Sequence, residues 1–253
     1  AALLVAEGSD DIQALIAARL DTLPQHERDV LADASVVGGT FWPGAVAAIS
    51  GTDDLSVREV LHRLEARDLV RTVPRTTLGE ETELRFAHAL VRDGAYAQLT
   101  RSDRAAKHRE VARWIDGATG ARKGDVVDIL AHHWCTAVEL QPSGSVDPED
   151  RRAAMHWSTQ AAERNLSLDI AAATSHLEQA LALREVGDPG EVELLSIAGR
   201  IAFQDGRTQD AARDMELAIA GYRAAGDVHG AVRTMMALAF VYQHLGDGRA
   251  FGL

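Results

Sequence analysis

Between residues 195 and 218 the side chains fall in an order that a pair of packed helices satisfies. Leu195, Ala198, Gly199 and Ala202 share one helical face, Gly206 marks a turn, and Ala211, Met215 and Ala218 share a second face. The logic is steric. The small residues Gly199 and Ala211 let two helices approach closely, while larger ones such as Leu195 and Met215 fill the space between pairs. Trp157, Ala161, Ala173, Leu177 and Ala180 repeat the order upstream, and Met235, Leu238, Ala239, Tyr242 and Gly246 repeat it downstream, about 38 to 40 residues apart. A unit of this kind cannot bury its own apolar face, so copies must stack. The third copy ends after its first helix, which predicts either that the chain is truncated there, the preferred expectation, or that Phe251 and Leu253 fold back.

The eight positions correspond to places 4, 7, 8, 11, 15, 20, 24 and 27 of the tetratricopeptide helical pair, here in a longer repeat. Aromatic residues make up only 5% of the chain and β-branched runs are short. Both facts argue for helices packed on helices over a sandwich or barrel.

The N-terminal half has helical period too. Ile12, Leu15, Ile16 and Leu20 predict a helix ending near Leu23-Pro24. Val30, Leu31, Ala34 and Val37 predict a second, stopped by Gly38-Gly39, and Ala45, Val46 and Ile49 a third from Pro43 to Gly51. Ser56-Val57-Arg58-Glu59 reads as a capping box opening a fourth helix, with Val57, Val60, Leu61 and Leu64 on one face. The period then changes. Leu69 to Val73 and Glu83 to Phe86 predict two strands around a polar tip, Pro74 to Thr82, that contains Gly79.

Three helices and a hairpin in that order predict a winged helix-turn-helix. Helices resume at Leu90 to Leu99, at Ser102 to Asp116 with an inner stripe of Val111, Trp114 and Ile115, and at Val126 to Leu140. Loops are expected at 117–124 and 141–148. The expected fold is therefore mainly α: a winged helix with a small β-hairpin over residues 25–100, a helical connector over 101–146, and a tetratricopeptide-like α-solenoid over 147–253 whose third repeat is incomplete.

A net charge of −12, from 38 acidic and 26 basic residues, weakens any general attraction to DNA or anionic lipid. No apolar run approaches the roughly 20 residues of a membrane helix, Ala1 to Ala6 lacks the basic flank of a signal peptide, and the single cysteine, Cys135, cannot form an internal disulfide. A cytoplasmic protein without membrane contact is the expectation. Lysine occurs only at Lys107 and Lys123, a bias read as codon composition, and the chain opens on Ala1 without methionine, as a fragment of a longer protein would.

Neither lysine sits in a Walker A loop, and no Gly-x-Ser-x-Gly elbow or His-Glu-x-x-His pair occurs. No catalytic residue is expected and no enzyme activity. His132-His133-Trp134-Cys135 has residue types that ligate zinc. Only His132 and Cys135, three apart on a helix, can share an ion, and two ligands are too few. No metal site is expected; Cys135 is read as a small apolar group beside a buried Trp134. The fourth helix carries Arg58, His62, Arg63 and Arg67 opposite its apolar stripe, with Arg71 and Arg75 on the wing. From Leu55 to Arg75 five arginines face Glu59, Glu65 and Asp68. So small an excess makes direct DNA reading the weaker alternative to a solvated face or one docked on another domain.

The stretch Arg85-Phe86-Ala87-His88-Ala89-Leu90-Val91-Arg92-Asp93-Gly94-Ala95-Tyr96 resembles the end of the winged helix in the STAND class of signal-transducing NTPases. In that class a Met-His-Asp motif opens a "His-Asp-Leu-Val-Arg-Asp" segment. Ile12 to Pro24 is similar to the "Ile-x-x-Leu-Ile-x-x-Arg-Leu-Asp-x-Leu-Pro" run found in large ATP-binding LuxR-type and adenylate cyclase-linked bacterial regulators. Phe86 to Tyr96 matches their "Phe-x-His-x-Leu-x-Arg-x-x-x-Tyr".

The resemblance implies a non-catalytic regulatory segment in a nucleotide-dependent signalling or transcription regulator. Residues 1–24 would be a linker helix from an upstream NTPase domain that binds ADP or ATP, this chain holding no cofactor itself. By position His88 would sense nucleotide by contacting the β-phosphate of ADP in the resting state, as an imidazole N–H can. Ala87 and Ala89 stand where the class often has Met and Asp, so any contact made by that carboxylate is missing. The repeats would receive a protein, a peptide or a small inducer. A DNA-binding factor using its own winged helix and a pure protein-interaction scaffold are the alternatives.

Overall fold

The computed structural model describes residues 16–74, 76, 81–119, 124, 126–142, 144–185, 188 and 190–246. The expectations for Ile12, Leu15, Arg75, Gly79, Lys123, Phe251 and Leu253 lie outside these residues. The chain is mainly helical with one small antiparallel sheet and divides into two compact units, residues 1–126 with 136–146 and residues 127–135 with 147–253. No helix among the described residues is long and apolar enough to cross a membrane.

The first unit opens with helical residues 16–21 (α1). It continues through α2 (Gln25–Val37), β1 (Thr40–Phe41), α3 (Pro43–Ser50), α4 (Asp54–Ala66), β2 (Val70–Val73), β3 (Glu83–Phe86), α5 (Ala89–Ala97) and α6 (Arg101–Thr119). Helix α2 is the centre of the packing, touching α3, α4, α5 and α6. That explains why its residues from Val30 to Val37 are all buried, polar Asp33 and Ser35 included. The apolar face expected for α4 is the buried one: Val57, Val60, Leu61 and Leu64.

The cap of α4 differs from expectation. The helix begins three residues before the Ser56 capping box, because the carboxylate of Asp53 accepts the Ser56 amide (3.0 Å) and satisfies a first-turn donor more directly. The hairpin strands pair as expected, with Val70 opposite Phe86 and Thr72 opposite Leu84. A third strand joins them. Thr40 and Phe41 pair with Arg85 and Leu84 to give the order β1-β3-β2. Two residues carry no readable period; tertiary contact makes this strand, with the Phe41 and Phe86 rings 5.3 Å apart. Helix α6 runs through Gly117 to Thr119, longer than its apolar stripe indicates.

Helix α7 (Val127–Glu139) contributes residues 127–135 to the second unit and its last turn to the first. In the first unit Arg101 closes that turn, donating from Nε to the Leu140 carbonyl (2.9 Å) and from Nη2 to that of Glu139 (2.7 Å).

The second unit continues with α8 (Pro148–Asn165), α9 (Ile170–Leu183), α10 (Glu191–Gln204), α11 (Thr208–Ala224) and α12 (Val228–Leu245). Helix α8 packs on α9, α10 on α11, and α11 on α12. The α10–α11 crossing depends on a missing side chain, since a Cβ at Gly199 would lie 2.7 Å from Met215 Cγ and 3.1 Å from the Ala211 carbonyl. The chain leaves α10 through Gly206 at φ 78°, a left-handed turn that a Cβ would strain. Helices about 37 residues apart are cross-tied by Arg200 to Glu163 (2.6 Å), Arg164 to Asp128 (2.8 Å) and Ser196 to Thr234 (2.9 Å).

Candidate functional site

Strand β3 ends at buried Phe86, and the backbone turns at Ala87, whose amide donates to the Leu69 carbonyl (3.0 Å). His88 is then the residue before α5, extended at φ −141°, ψ 138°, with its carbonyl accepting the Val91 amide. An imidazole in that place does not cap the helix as Ser or Asp does, and the His88 side chain makes no cap hydrogen bond to α5. The His88 ring is exposed.

Asp68 lies close enough to His88 to feel its charge. It follows the C-cap residue Arg67 of α4 at φ 56°, and the pair of bonds Leu69 N to Leu64 O and Asp68 N to Glu65 O closes the helix. Its carboxyl is held below the usual carboxylate range mainly by a hydrogen bond from Arg71 Nε (3.0 Å) and by the charge of Arg71, with His88 and Arg19 adding. Arg19 in turn donates to the Arg67 carbonyl. Two arginines and one imidazole therefore act on one carboxylate. Their N–H donors are of the kind that bond an oxyanion by charge-assisted hydrogen bonds.

Further along the segment, Tyr96 ties α5 to α6. Its hydroxyl lies 3.0 Å from His108 Nε2 and the Arg104 guanidinium stands 4.3 Å from its ring centroid. Burial pushes its phenol above the usual value.

The cationic side chains of α4 are distributed differently from a row of free charges. Arg58 Nε pairs with Asp54 (2.6 Å) and its Nη2 with Glu81 (3.3 Å). Arg63 Nε pairs with Glu27 Oε1 (3.1 Å), and Arg67 Nε lies 3.4 Å from Glu27 Oε2, an ion pair too long and poorly aligned for a good hydrogen bond. Glu27 is 2% exposed, so both arginines are counter-ions of a buried charge. His62 is exposed. The structure thus brings Arg63 and Arg67 together on Glu27 of α2 and places Arg58 on Asp54 and Glu81.

Sequence reasoning missed a cleft of about 550 Å³ between α2, α4 and α6, lined by His26, Asp29, Asp33, Glu59, Arg63 and Lys107 among others. At its floor Lys107 Nζ lies 2.7 Å from Asp33 Oδ1 and 3.3 Å from the Ile49 carbonyl. Burial raises the Asp33 carboxyl and Lys107 partly opposes the rise. Nothing in the sequence around Lys107, one of two lysines in the chain, marks the cleft, since Asp33 and Ile49 meet it only through the packing of α2, α3 and α6.

In the second unit Cys135 is buried with Sγ 3.2 Å from Ser158 Oγ, while His132 is exposed. Helix α12 turns Val228, Val232, Met236 and Phe240 outward. No protein-family model, curated protein or solved structure matches this chain.

Proposed function

We propose that this chain is a non-catalytic regulatory segment of a nucleotide-dependent switch protein. A winged helix over residues 25–100 passes the state of an ATP- or ADP-binding domain to a tetratricopeptide-like docking array over 147–253. The observation that carries the reading is His88: exposed, at the strand-to-helix junction before α5, and acting on the same Asp68 carboxylate as Arg71 and Arg19. That arrangement suits a ring that donates to a phosphate oxygen and releases it on exchange. The order α2, α3, α4 and then the β2–β3 hairpin with β1 at its edge supports the winged helix. The close α10–α11 crossing at Gly199 supports the array. The alternative in which α4 reads DNA is disfavoured by Arg63 and Arg67, whose charge already serves buried Glu27.

The test replaces His88 with Ala in the protein that carries this segment with its nucleotide domain and measures retained ADP after gel filtration. The proposal expects faster loss of ADP from the variant. Unchanged retention, or phosphate release from ATP by the isolated chain above a heat-inactivated control, overturns it.

A further inference from the structure

The cleft between α2, α4 and α6 holds more negative charge than its own cations balance. Six ionisable side chains line it: the acids Asp29 and Asp33 of α2 and Glu59 of α4, and the bases His26, Arg63 and Lys107. The bases are engaged. Lys107 gives one N–H to Asp33 Oδ1 and another to the Ile49 carbonyl, which leaves it one. Arg63 is a counter-ion of buried Glu27, and its Nη2 lies 3.4 Å from His26 Nε2. Among the described residues Asp29 receives only the Gln25 side-chain amide (2.7 Å), and neither it nor Glu59 is paired with a cation.

The acids are also placed against one another. Asp29 and Asp33 stand four apart on one face of α2, close enough that the charge of Asp29 acts on the Asp33 carboxyl. Like charges at that spacing oppose the helix that carries them. Asp33 is 4% exposed and lines the cleft, with Oδ1 held by Lys107 and Oδ2 without a partner among the described residues. A cation reaching both carboxylates would relieve the repulsion and satisfy that oxygen.

Size and lining narrow the occupant. About 550 Å³ is the volume of a site for a small organic molecule. Val30, Val60 and Leu99 offer it apolar surface for a hydrocarbon chain. An anion would meet three carboxylates for one remaining Lys107 N–H. A single metal ion needs oxygens that converge on one point, and these three carboxylates do not form such a group. Charge spread along a cleft suits a ligand with a cation at each end.

We propose that this cleft binds a linear aliphatic diamine or polyamine, one ammonium on Asp33 Oδ2, the methylene chain against Val30 and Val60, and the second ammonium on Asp29 and Glu59. The ligand is separate from the nucleotide proposed above.

The probe is 1,4-diaminobutane, titrated into the whole chain by calorimetry at low salt. The comparison is 1-aminobutane, which keeps the hydrocarbon and removes one charge. The diamine is expected to bind at least about tenfold tighter than the monoamine and to weaken as salt rises. Asp29→Asn with Glu59→Gln is expected to weaken it by about tenfold or more, and Glu59→Gln alone by less. Both side chains are exposed, so unchanged circular dichroism and melting establish that the variants are folded. Glu110→Gln with Glu149→Gln removes the same charge from exposed positions outside the cleft and is expected to leave binding unchanged.

No binding of the diamine, equal affinity for the two amines, or undiminished binding by the Asp29 and Glu59 double variant overturns the assignment. So does equal weakening in the Glu110 and Glu149 variant, which would make the attraction a property of the net charge of −12. The nucleotide test on His88 reads a different property, so either idea can fail while the other stands.

Discussion

The Lys107 ammonium of α6 bonds at once to the Asp33 carboxylate of α2 (2.7 Å) and to the Ile49 carbonyl of α3 (3.3 Å), joining three helices of the first unit through one side chain. Asp33 is 4% exposed, so its charge has little water to fall back on. Lys107→Met leaves a carboxylate buried without its counter-ion and is expected to destabilise the first unit by about 3 kcal/mol in urea unfolding. Burial already holds the Asp33 carboxyl above its unfolded value, so its contribution is fully present below the unfolded pKa and is lost as pH rises through the folded one. Removing Lys107 should steepen that loss. A variant whose deficit is the same at pH 4 and pH 7 would contradict this account.

Glu27 is the counterpart on the other side of α2. Arg63→Ala with Arg67→Ala strands a carboxylate that is 2% exposed, and should cost about 2 kcal/mol, less than a fully buried pair because both guanidinium groups are half in water. Adding Glu27→Gln to the double variant should recover most of the loss. Thermal melts of the three proteins read the result directly, and a triple variant no more stable than the double would show that the pairing is not what holds the two arginines.

Two glycines in helices should respond oppositely to the same substitution. Gly117→Ala in α6 meets nothing within 4 Å and gains helix propensity, an expected stabilisation of up to about 1 kcal/mol. Gly199→Ala puts a Cβ 2.7 Å from Met215 Cγ and 3.1 Å from the Ala211 carbonyl, and the forced separation of α10 from α11 should cost about 2 kcal/mol. Met215→Ala should relieve only part of it, because the carbonyl is backbone.

Asp188 supplies an acid limb to the stability of the second unit. Arg151 Nη1 donates to it at 2.8 Å and the Glu185 amide at 2.7 Å, and these bonds hold its carboxyl down at about 2. A depressed carboxylate stabilises above its unfolded pKa, and the stabilisation is lost as pH falls from about 4 toward 2. Asp188→Asn should flatten the stability–pH curve across that range while leaving its shape near neutrality unchanged. A curve that keeps its acid slope in the variant would place the responsible group elsewhere.

Features with a repeating local cause were legible in the sequence. The buried face of α4 follows from apolar spacing, and the β2–β3 hairpin from a change of period across a polar tip; on α10 the pattern found buried Gly199 and Ala202 but marked half-buried Leu195 and Ala198 in place of buried Leu194, Ile197 and Ile201. Strand β1 was not legible, since Thr40 and Phe41 become a strand only where Leu84 and Arg85 arrive beside them. The cap at Asp53 competed with an equally good signal at Ser56, and hydrogen-bond geometry separated them. In the candidate site His88 was marked by its neighbours in sequence, whereas Asp68 and Arg19, which share its surroundings, were not.

The amino-acid order alone determined that these segments are helical, which face of α4 is inward and that Gly199 and Gly206 stand at a close crossing and a turn, because side-chain period and the absence of a Cβ act within a few residues. Only the tertiary structure decided what the charges do. Glu27 in the first turn of α2 has the sequence setting of an ordinary surface acid, and Lys107 that of an ordinary surface base. Each acquires its role from the helix that packs over it, since the free energy of a charge depends on how much water its neighbours exclude and on which counter-ion they bring.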